Sequence, residues 1–557
     1  MAKSKQSVRL QRNLQQAIKV AVRHHTAGRL QKAEALYGQI LQADPRNPVA
    51  LHLLGVVAFQ TGDDERAAAL IAKAIALKPD YADAHGNLGN VLQRMGRLEE
   101  ALASFHKAVV LTPDVAEAHN NVGSALKALG RLEDAAASYR MAVALRPDFA
   151  EAYSNYGAVL HDLGRRNEAL ACFRRAVALR PGYAEAHGNL ASLLRDLGHA
   201  DEAAECYRRA LALDPGNAST QANLAGLYLS AFGDEGRAVA ESCKGLDLLR
   251  RQEFGAATDD TSIARLSQKG LRAFRLKHDL QQADYLAANG HAVAGLDEFR
   301  DAARTMLAHA GDTAAERVMP DRDEARALLP YLQSGYALQM PAQSAALNPG
   351  NDWEAIQQQY LGSAKEIIHI DDFLSPEALK VFQAFSLASK LWLKDYPNKY
   401  LGAFSDQGFI SPLHIQLARE LQRKMPKVFG GHAIGRFWGF KYDATLGKGI
   451  NVHADFARVN LNFWITPDEH NLEPGSGGLK VYDVPSPRDW HFKAYNENKE
   501  RIYAFLDANK ANSVTVPYRC NRAVLFNSAY FHETDRIRFA EGYESRRINV
   551  TYLFGTR

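Results

Sequence analysis

Near the C-terminal end of the chain, His453 and Asp455 stand one residue apart in the run Gly449 to Asp455. On a β-strand, residues two apart project to the same face, so an imidazole and a carboxylate would sit side by side there. Downstream, Val459, Leu461, Phe463 and Ile465 alternate with Asn460, Asn462 and Trp464, the period of a strand with unlike faces. A second histidine, His532, follows a largely apolar run that begins at Leu525. Two histidines and one carboxylate on one face of an octahedron leave three positions open. That set suits non-haem Fe(II), because two open positions can chelate a 2-oxo acid and the third can take O₂. The far carboxylate of such an acid needs a cation at fixed depth. Arg546-Arg547, heading the alternating run Ile548 to Phe554, supplies one. Arginine's planar fork pairs with a carboxylate through two parallel hydrogen bonds.

The elements that position these residues are strand-like runs in the last third of the chain, in the order His-x-Asp, distal His, Arg-x-Asn. With that order, residues 361–557 resemble the 2-oxoglutarate/Fe(II)-dependent dioxygenases of the prolyl-hydroxylase-like type. The resemblance extends to the opening Ile367 to Glu377, a strand followed by a helix starting at Ser375-Pro376-Glu377, and to the Ser-Gly-Gly-Leu run at Ser476 to Leu479. It implies a double-stranded β-helix (jelly roll) with flanking helices at 375–389 and 412–424. It further implies Fe(II) held by His453, Asp455 and His532, and 2-oxoglutarate bound through Arg547, with Asn549 where the family's Arg-x-Ser has serine. Tyr442, from the strand Arg436 to Tyr442, matches a tyrosine that contacts the cosubstrate in related enzymes. Arg546 is the rival to Arg547, since adjacent strand residues face opposite ways. Strand phase alone leaves open which of Asn460 and Asn462 points into the site. Thr466 to Ser476 is expected as a loop over its mouth.

The implied activity is oxidative decarboxylation of 2-oxoglutarate with O₂, coupled to hydroxylation. Related halogenases lack the carboxylate that Asp455 supplies. Two alternatives remain. One is a nucleic-acid dealkylating dioxygenase: Arg547-x-Asn549-x-Thr551 matches part of the Arg-x-Asn-x-Thr-x-Arg signature, but Leu553 stands where the second arginine belongs. The other is a non-catalytic repeat scaffold carrying an inactive jelly roll.

The N-terminal part has a different period. Pro45, Pro79, Pro113, Pro147, Pro181 and Pro215 recur every 34 residues, as do Gly28, Gly62, Gly96, Gly130, Gly164 and Gly198, and Ala67, Ala101, Ala135, Ala169 and Ala203. Glycine ends the first helix of a pair, alanine lets two helices approach, and proline stops the second helix. The pattern is that of tetratricopeptide repeats, an all-α solenoid with a concave groove. Residues 14–250 are read as six to seven such units, with 1–13 a basic lead-in. Asn87, Asn121, Asn155, Asn189 and Asn223 form a further ladder on the first helices. It resembles that of O-linked N-acetylglucosamine transferase repeats, which hold peptide by its backbone; an inter-repeat hydrogen-bonding spine is the other reading. His85, His119 and His187 are expected to be packing residues.

Residues 251–360 read as a mostly helical connection, with helix-like stretches at 261–276, 293–309 and 321–334, His278-Asp279 at a helix–loop junction, and a linker from Leu338 to Asn351. At 557 residues the chain requires several domains. A net charge of +4 with 23% charged residues does not point to nucleic acid or acidic lipid, and no apolar run reaches the roughly 20 residues of a membrane span. Four cysteines far apart, at 172, 206, 243 and 520, have no metal-ligand spacing. A cytoplasmic protein with reduced thiols is expected, its partner a protein or peptide in the repeat groove.

Overall fold

The computed structural model describes residues 2–310, 317–396, 400–443, 449–455, 457–487, 490, 495–496 and 498–555, with side chains from residue 13 onward except at 232. The basic side chains of the lead-in up to Arg12 therefore lie outside the described residues. The chain divides into two compact units, Met1–Leu213 and Asp214–Arg557.

The first unit is all helix. After a helix Ala2–Thr26 come helical pairs, among them Ala116–Ala128 with Leu132–Leu145, and Ala150–Asp162 with Arg166–Leu179. The glycine ladder ends the first helices. Gly130 has φ +75°, its N–H donates to the Lys127 carbonyl at 3.0 Å, and the Arg131 N–H donates to the Leu126 carbonyl at 2.9 Å. That paired geometry needs a left-handed residue. A second ladder, Tyr37, Ile71, Phe105, Tyr139, Phe173 and Tyr207, fills the space between paired helices and is almost wholly buried. A Cβ at Gly123 would come within 2.8 Å of the Tyr139 ring, so the small residue on the first helix exists to admit the large one on the second.

The asparagines do not all behave alike. Three of them meet the residue 35 positions earlier. Asn87 Nδ2 meets His52 Nε2 at 2.8 Å, Asn155 Nδ2 donates to Asn120 Oδ1 at 3.1 Å, and Asn189 Nδ2 donates to Ser154 Oγ at 3.3 Å. The counterpart of Asn121 is Gly86, which has no side chain to meet it. Asn223 lies in the second unit. Three asparagines are thus bonds between successive repeats, while the amide of Asn121 is uncommitted. Asn155→Ala is expected to lower the stability of the repeat unit by about 0.5–1.5 kcal/mol, and Asn121→Ala to leave it unchanged, in urea unfolding followed by circular dichroism. Equal losses would contradict this division. The repeat histidines are local fasteners: Nε2 of His85, His119 and His187 meets the carbonyl of Pro79, Pro113 and Pro181 at 3.0, 2.8 and 3.1 Å.

The second unit begins with helices Ala218–Leu227 and Glu235–Phe254, then a helical layer formed by Asp260–Lys269, Ala273–Ala288, Leu296–Ala310 and Arg322–Gln333. Its core joins Phe254, Leu276, Leu286, Phe299, Leu328 and Tyr331. His278 and Asp279 sit mid-helix rather than at a helix–loop junction. The Asp279 carboxylate accepts from Arg275 Nε at 2.7 Å and lies 3.0 Å from His278 Nδ1. Burial would raise its pKa, but the Arg275 charge and His278 outweigh that and hold it at about 2. Leu338 to Asn351 is not a free linker: the Glu420 carboxylate accepts the backbone N–H of Ala346 at 3.1 Å and of Leu347 at 2.9 Å.

Ten strands follow: β1 Ile367–Ile370, β2 Lys394–Tyr396, β3 Tyr400–Phe404, β4 Ile434–Tyr442, β5 Val459–Trp464, β6 Leu479–Pro485, β7 Ser513–Val516, β8 Ala523–Asn527, β9 Tyr530–Thr534 and β10 Ile548–Phe554. They make a seven-stranded sheet in the order β1-β8-β5-β10-β4-β3-β2 and a three-stranded sheet β9-β6-β7. Every pairing is antiparallel. The sheets share one core, to which Tyr400, Phe440, Trp464 and Phe526 come from the larger sheet and Leu479, Val481 and Val516 from the smaller. Both flanking helices form, as Pro376–Ala388 and Pro412–Lys424, each capped by a serine hydroxyl (Ser375, Ser411) with proline in its first turn.

Candidate functional site

Arg547, immediately before β10, and Asn549 and Thr551 on it are two apart and share the face turned to the smaller sheet. Register sets the rest of that face. Thr551 lies opposite Trp438 and Asn462, and Asn549 opposite Phe440 and Trp464. The Tyr442 N–H donates to the Arg547 carbonyl at 3.0 Å, so the tyrosine lies beside the arginine. All of these but Trp464, with Ile450, Leu479 and Thr534, line a partly enclosed cavity that also receives His453, Asp455 and His532.

His453 and Asp455 do not lie on a regular strand. They belong to the connection between β4 and β5, held to β9 by an isolated antiparallel bridge between His453 and His532. The His453 N–H donates to the His532 carbonyl at 3.0 Å, and the His532 N–H to the His453 carbonyl at 2.7 Å. The Asp455 N–H donates to the Ser528 carbonyl at 3.1 Å. His453 and Asp455 thus line the cavity together, held by one isolated bridge and one further backbone hydrogen bond in place of a full ladder.

The donor atoms of His453, Asp455 and His532 lie within 4.8 Å of one another. Each imidazole is oriented by its own backbone. His453 Nδ1 lies 2.8 Å from the Asn451 carbonyl, and His532 Nδ1 lies 3.1 Å from the Tyr530 carbonyl. A carbonyl only accepts, so Nδ1 carries the proton and Nε2 keeps its lone pair for a metal. His532 and Asp455 are buried, at 4% and 5% exposure. Burial, and secondarily the proximity of His453, keep the His532 pKa well below the usual value, so its ring is neutral. Burial raises the Asp455 carboxyl, which His453 and Asn460 oppose. Asn460 Nδ2 donates to Asp455 Oδ2 at 2.6 Å, which orients the carboxylate. Asn462 instead donates to Thr551 Oγ1 at 2.9 Å. Both asparagines face inward, since they are two apart; neighbouring strands decide their different tasks. Two imidazole nitrogens and one carboxylate oxygen, lying within 4.8 Å of one another, fit a divalent first-row transition metal.

Arg547 is 2% exposed. Its Nε donates to the Gly477 carbonyl at 2.6 Å, Nη2 lies 3.4 Å from the Gly478 carbonyl, and Nη1 lies 3.4 Å from Asn549 Oδ1. Its guanidinium stands 4.8 Å from the Tyr442 ring centre. Among the described residues no carboxylate lies within ion-pair distance of it. Burial lowers its pKa, with Tyr442, Tyr518 and, least, Asp535 opposing. The hydroxyl of Tyr442, near Thr534 and Arg547, and Oδ1 of Asn462, both at the cavity, are buried with no hydrogen bond of ordinary geometry among the described residues. A buried cation and these two polar atoms in one cavity fit a small ligand bearing a carboxylate. Arg546 points away. It lies 3.3 Å from Asp443 Oδ2, and its Nη2 donates to Gln281 Oε1 at 2.8 Å.

Gly477 and Gly478, known from the sequence only as part of the Ser-Gly-Gly-Leu run, belong to this site. Gly477 has φ +78°, and a Cβ at Gly478 would collide with the Val516 carbonyl. Both carbonyls reach Arg547 because nothing larger separates the chains.

No curated protein matches the chain. Among solved structures, MamA is 25% identical over 29% of this chain and 95% of its own, with a TM-score of 0.28. YrrB, described as a TPR protein with an unusual peptide-binding site, is 23% identical over 33% of this chain and 95% of its own, with a TM-score of 0.29. PilF of Pseudomonas aeruginosa is 23% identical over 38% and 93%, with a TM-score of 0.33. Sequence profiles described as tetratricopeptide repeat match residues 24–76, 87–150 and 148–216, and one described as TPR repeat matches 57–96. The N-terminal region is built of tetratricopeptide repeats, which suggests a role in protein interaction. Among the described residues, no helix is long and apolar enough to cross a membrane.

Proposed function

We propose that the C-terminal part of the chain is a 2-oxoglutarate- and Fe(II)-dependent hydroxylase on a double-stranded β-helix, acting on a protein or peptide that the repeats recruit. One observation supports the reading: three neighbouring metal donors share a cavity with a buried arginine that has, among the described residues, no carboxylate within ion-pair distance. Fe(II) with 2-oxoglutarate would supply the oxidising power and O₂ activation. His453, Asp455 and His532 would hold the metal, with Asn460 keeping the carboxylate turned toward it. Arg547 would take the far carboxylate of the cosubstrate, with Tyr442 and Asn549 beside it. Phe440, Leu479 and Ile450 keep bulk water from the cavity. Leu553, at 1% exposure, stands where the nucleic-acid dealkylating signature has its second arginine.

Purified without oxygen and then supplied with Fe(II) and O₂, the full chain is expected to release labelled CO₂ from 1-carbon-labelled 2-oxoglutarate. Added cell extract should contain a protein heavier by one oxygen. Absence of both decarboxylation and 2-oxoglutarate binding would end this reading.

A further inference from the structure

The second helices of the repeat unit, Asp64–Leu77, Leu98–Leu111, Leu132–Leu145, Arg166–Leu179 and Ala200–Leu213, carry exposed side chains at two neighbouring positions that recur with the repeat. One position holds Lys73, Lys107, Met141, Arg175 and Arg209, and the preceding one includes Arg140, Arg174 and Arg208. Stacked repeats bring equivalent positions into a row, so a band of lysine and arginine runs along this face. Little of it is neutralised. Arg174 pairs with Glu202 at 3.3 Å, and Arg175 lies 3.4 Å from the Pro147 carbonyl. Among the described residues, Lys73, Lys107, Arg140, Arg208 and Arg209 have no carboxylate within ion-pair distance.

The band is narrow. On the same helical stripe, two turns earlier, stand the exposed acids Glu65, Glu99, Glu133 and Asp201. The helix dipole favours them in the first turn. They lie about 12 Å away along the helix axis, with the exposed alanines Ala69, Ala103 and Ala137 between in the first three helices and Glu205 extending the acidic border in the last. A lipid surface or a nucleic-acid duplex broad enough to cover the cations would also cover this acidic border. A single chain can lie on the cations alone. Single-stranded nucleic acid gains much of its affinity from bases stacked on exposed rings. Here the phenylalanine and tyrosine rings of these helices, Phe105, Tyr139, Phe173 and Tyr207, are buried, and among the described residues the band exposes one ring, the imidazole of His106, too few to stack a run of bases. What the band does expose is apolar and aliphatic: Val110 is 72% exposed and Met141 47%.

We propose that this face of the repeat unit binds an acidic polypeptide segment, its carboxylates on the lysines and arginines and its aliphatic side chains against Val110 and Met141. The contact is separate from the cavity and from the asparagine ladder. The test uses the full chain and fluorescence anisotropy, with a labelled peptide of about twenty residues built from Glu, Asp and Leu. A single-stranded oligothymidine of equal charge and phosphatidylserine vesicles serve as rival probes. Saturable peptide binding is expected. It should weaken at least tenfold in the Lys107→Glu/Arg175→Glu/Arg209→Glu variant, less in the corresponding Gln variant, and also in Met141→Asp. Circular dichroism should show the repeats folded in each, since all these side chains are exposed. Three results would overturn the proposal: no saturable peptide binding, equal binding by the wild type and both triple variants, or tighter binding of the oligonucleotide or vesicles than of the peptide.

Discussion

His453→Ala and His532→Ala are each expected to abolish stoichiometric binding of Fe(II), or of Co(II) as its spectroscopic substitute, while the wild-type chain binds about one ion. Three donors lie within 4.8 Å of one another, and removing an imidazole leaves two, too few to compete with water for a divalent ion. The fold should survive. The bridge between His453 and His532 is made by backbone N–H and carbonyl groups, which alanine retains. The buried His532 is already neutral, so its loss strands no charge. Equilibrium dialysis with the metal, alongside a thermal melt, gives the answer. Metal retained at full occupancy by the double variant would place the ion elsewhere and remove the basis of the hydroxylase reading.

Arg547→Ala is expected to raise the dissociation constant for 2-oxoglutarate by a factor of about 30 to several thousand, the equivalent of roughly 2–5 kcal/mol for one partner of a desolvated charge pair. Arg546→Ala should leave that affinity nearly unchanged and instead lower the melting temperature, because Arg546 lies against Asp443 and Gln281 outside the cavity. Breaking a buried pair leaves a carboxylate with a reduced set of partners, a stability cost and not a binding cost. Succinate would be a useful second ligand, since it keeps a distal carboxylate without the 2-oxo group. It should lose affinity with Arg547→Ala as well. Equal effects of the two substitutions on 2-oxoglutarate would mean that the cosubstrate does not lie along this strand face.

Much of this was legible in the sequence because the signals are local and repeated. A 34-residue period announces itself through Gly130, Pro113 and Ala135 and their equivalents, since each helical pair meets the same packing problem as the last. The choice of His453, Asp455 and His532 needed only donor chemistry and the two-residue period of extended chain. That Arg546 and Arg547 face opposite ways also follows from that period. The sequence by itself therefore determined which residue types were available, their spacing along the backbone, and the helical pairs of the N-terminal region.

Tertiary structure decided which candidates meet and what each one does. Whether Arg547 or Arg546 faces the cavity depends on which side of β10 the three-stranded sheet covers, a fact about packing between strands far apart in sequence. Asn155 and Asn121 occupy equivalent ladder positions, yet one bonds to Asn120 and the other faces Gly86, so a partner 35 residues away separates a spine from a free amide. Asn460 turns to Asp455 and Asn462 to Thr551, though both project from one face of one strand. Gly477 and Gly478 hold Arg547 through carbonyl groups, which no side-chain pattern can reveal. The physical reason is common to all four. Periodicity fixes the direction in which a side chain leaves the backbone, whereas its partner is set by long-range pairing that folding alone brings within 3 Å or so.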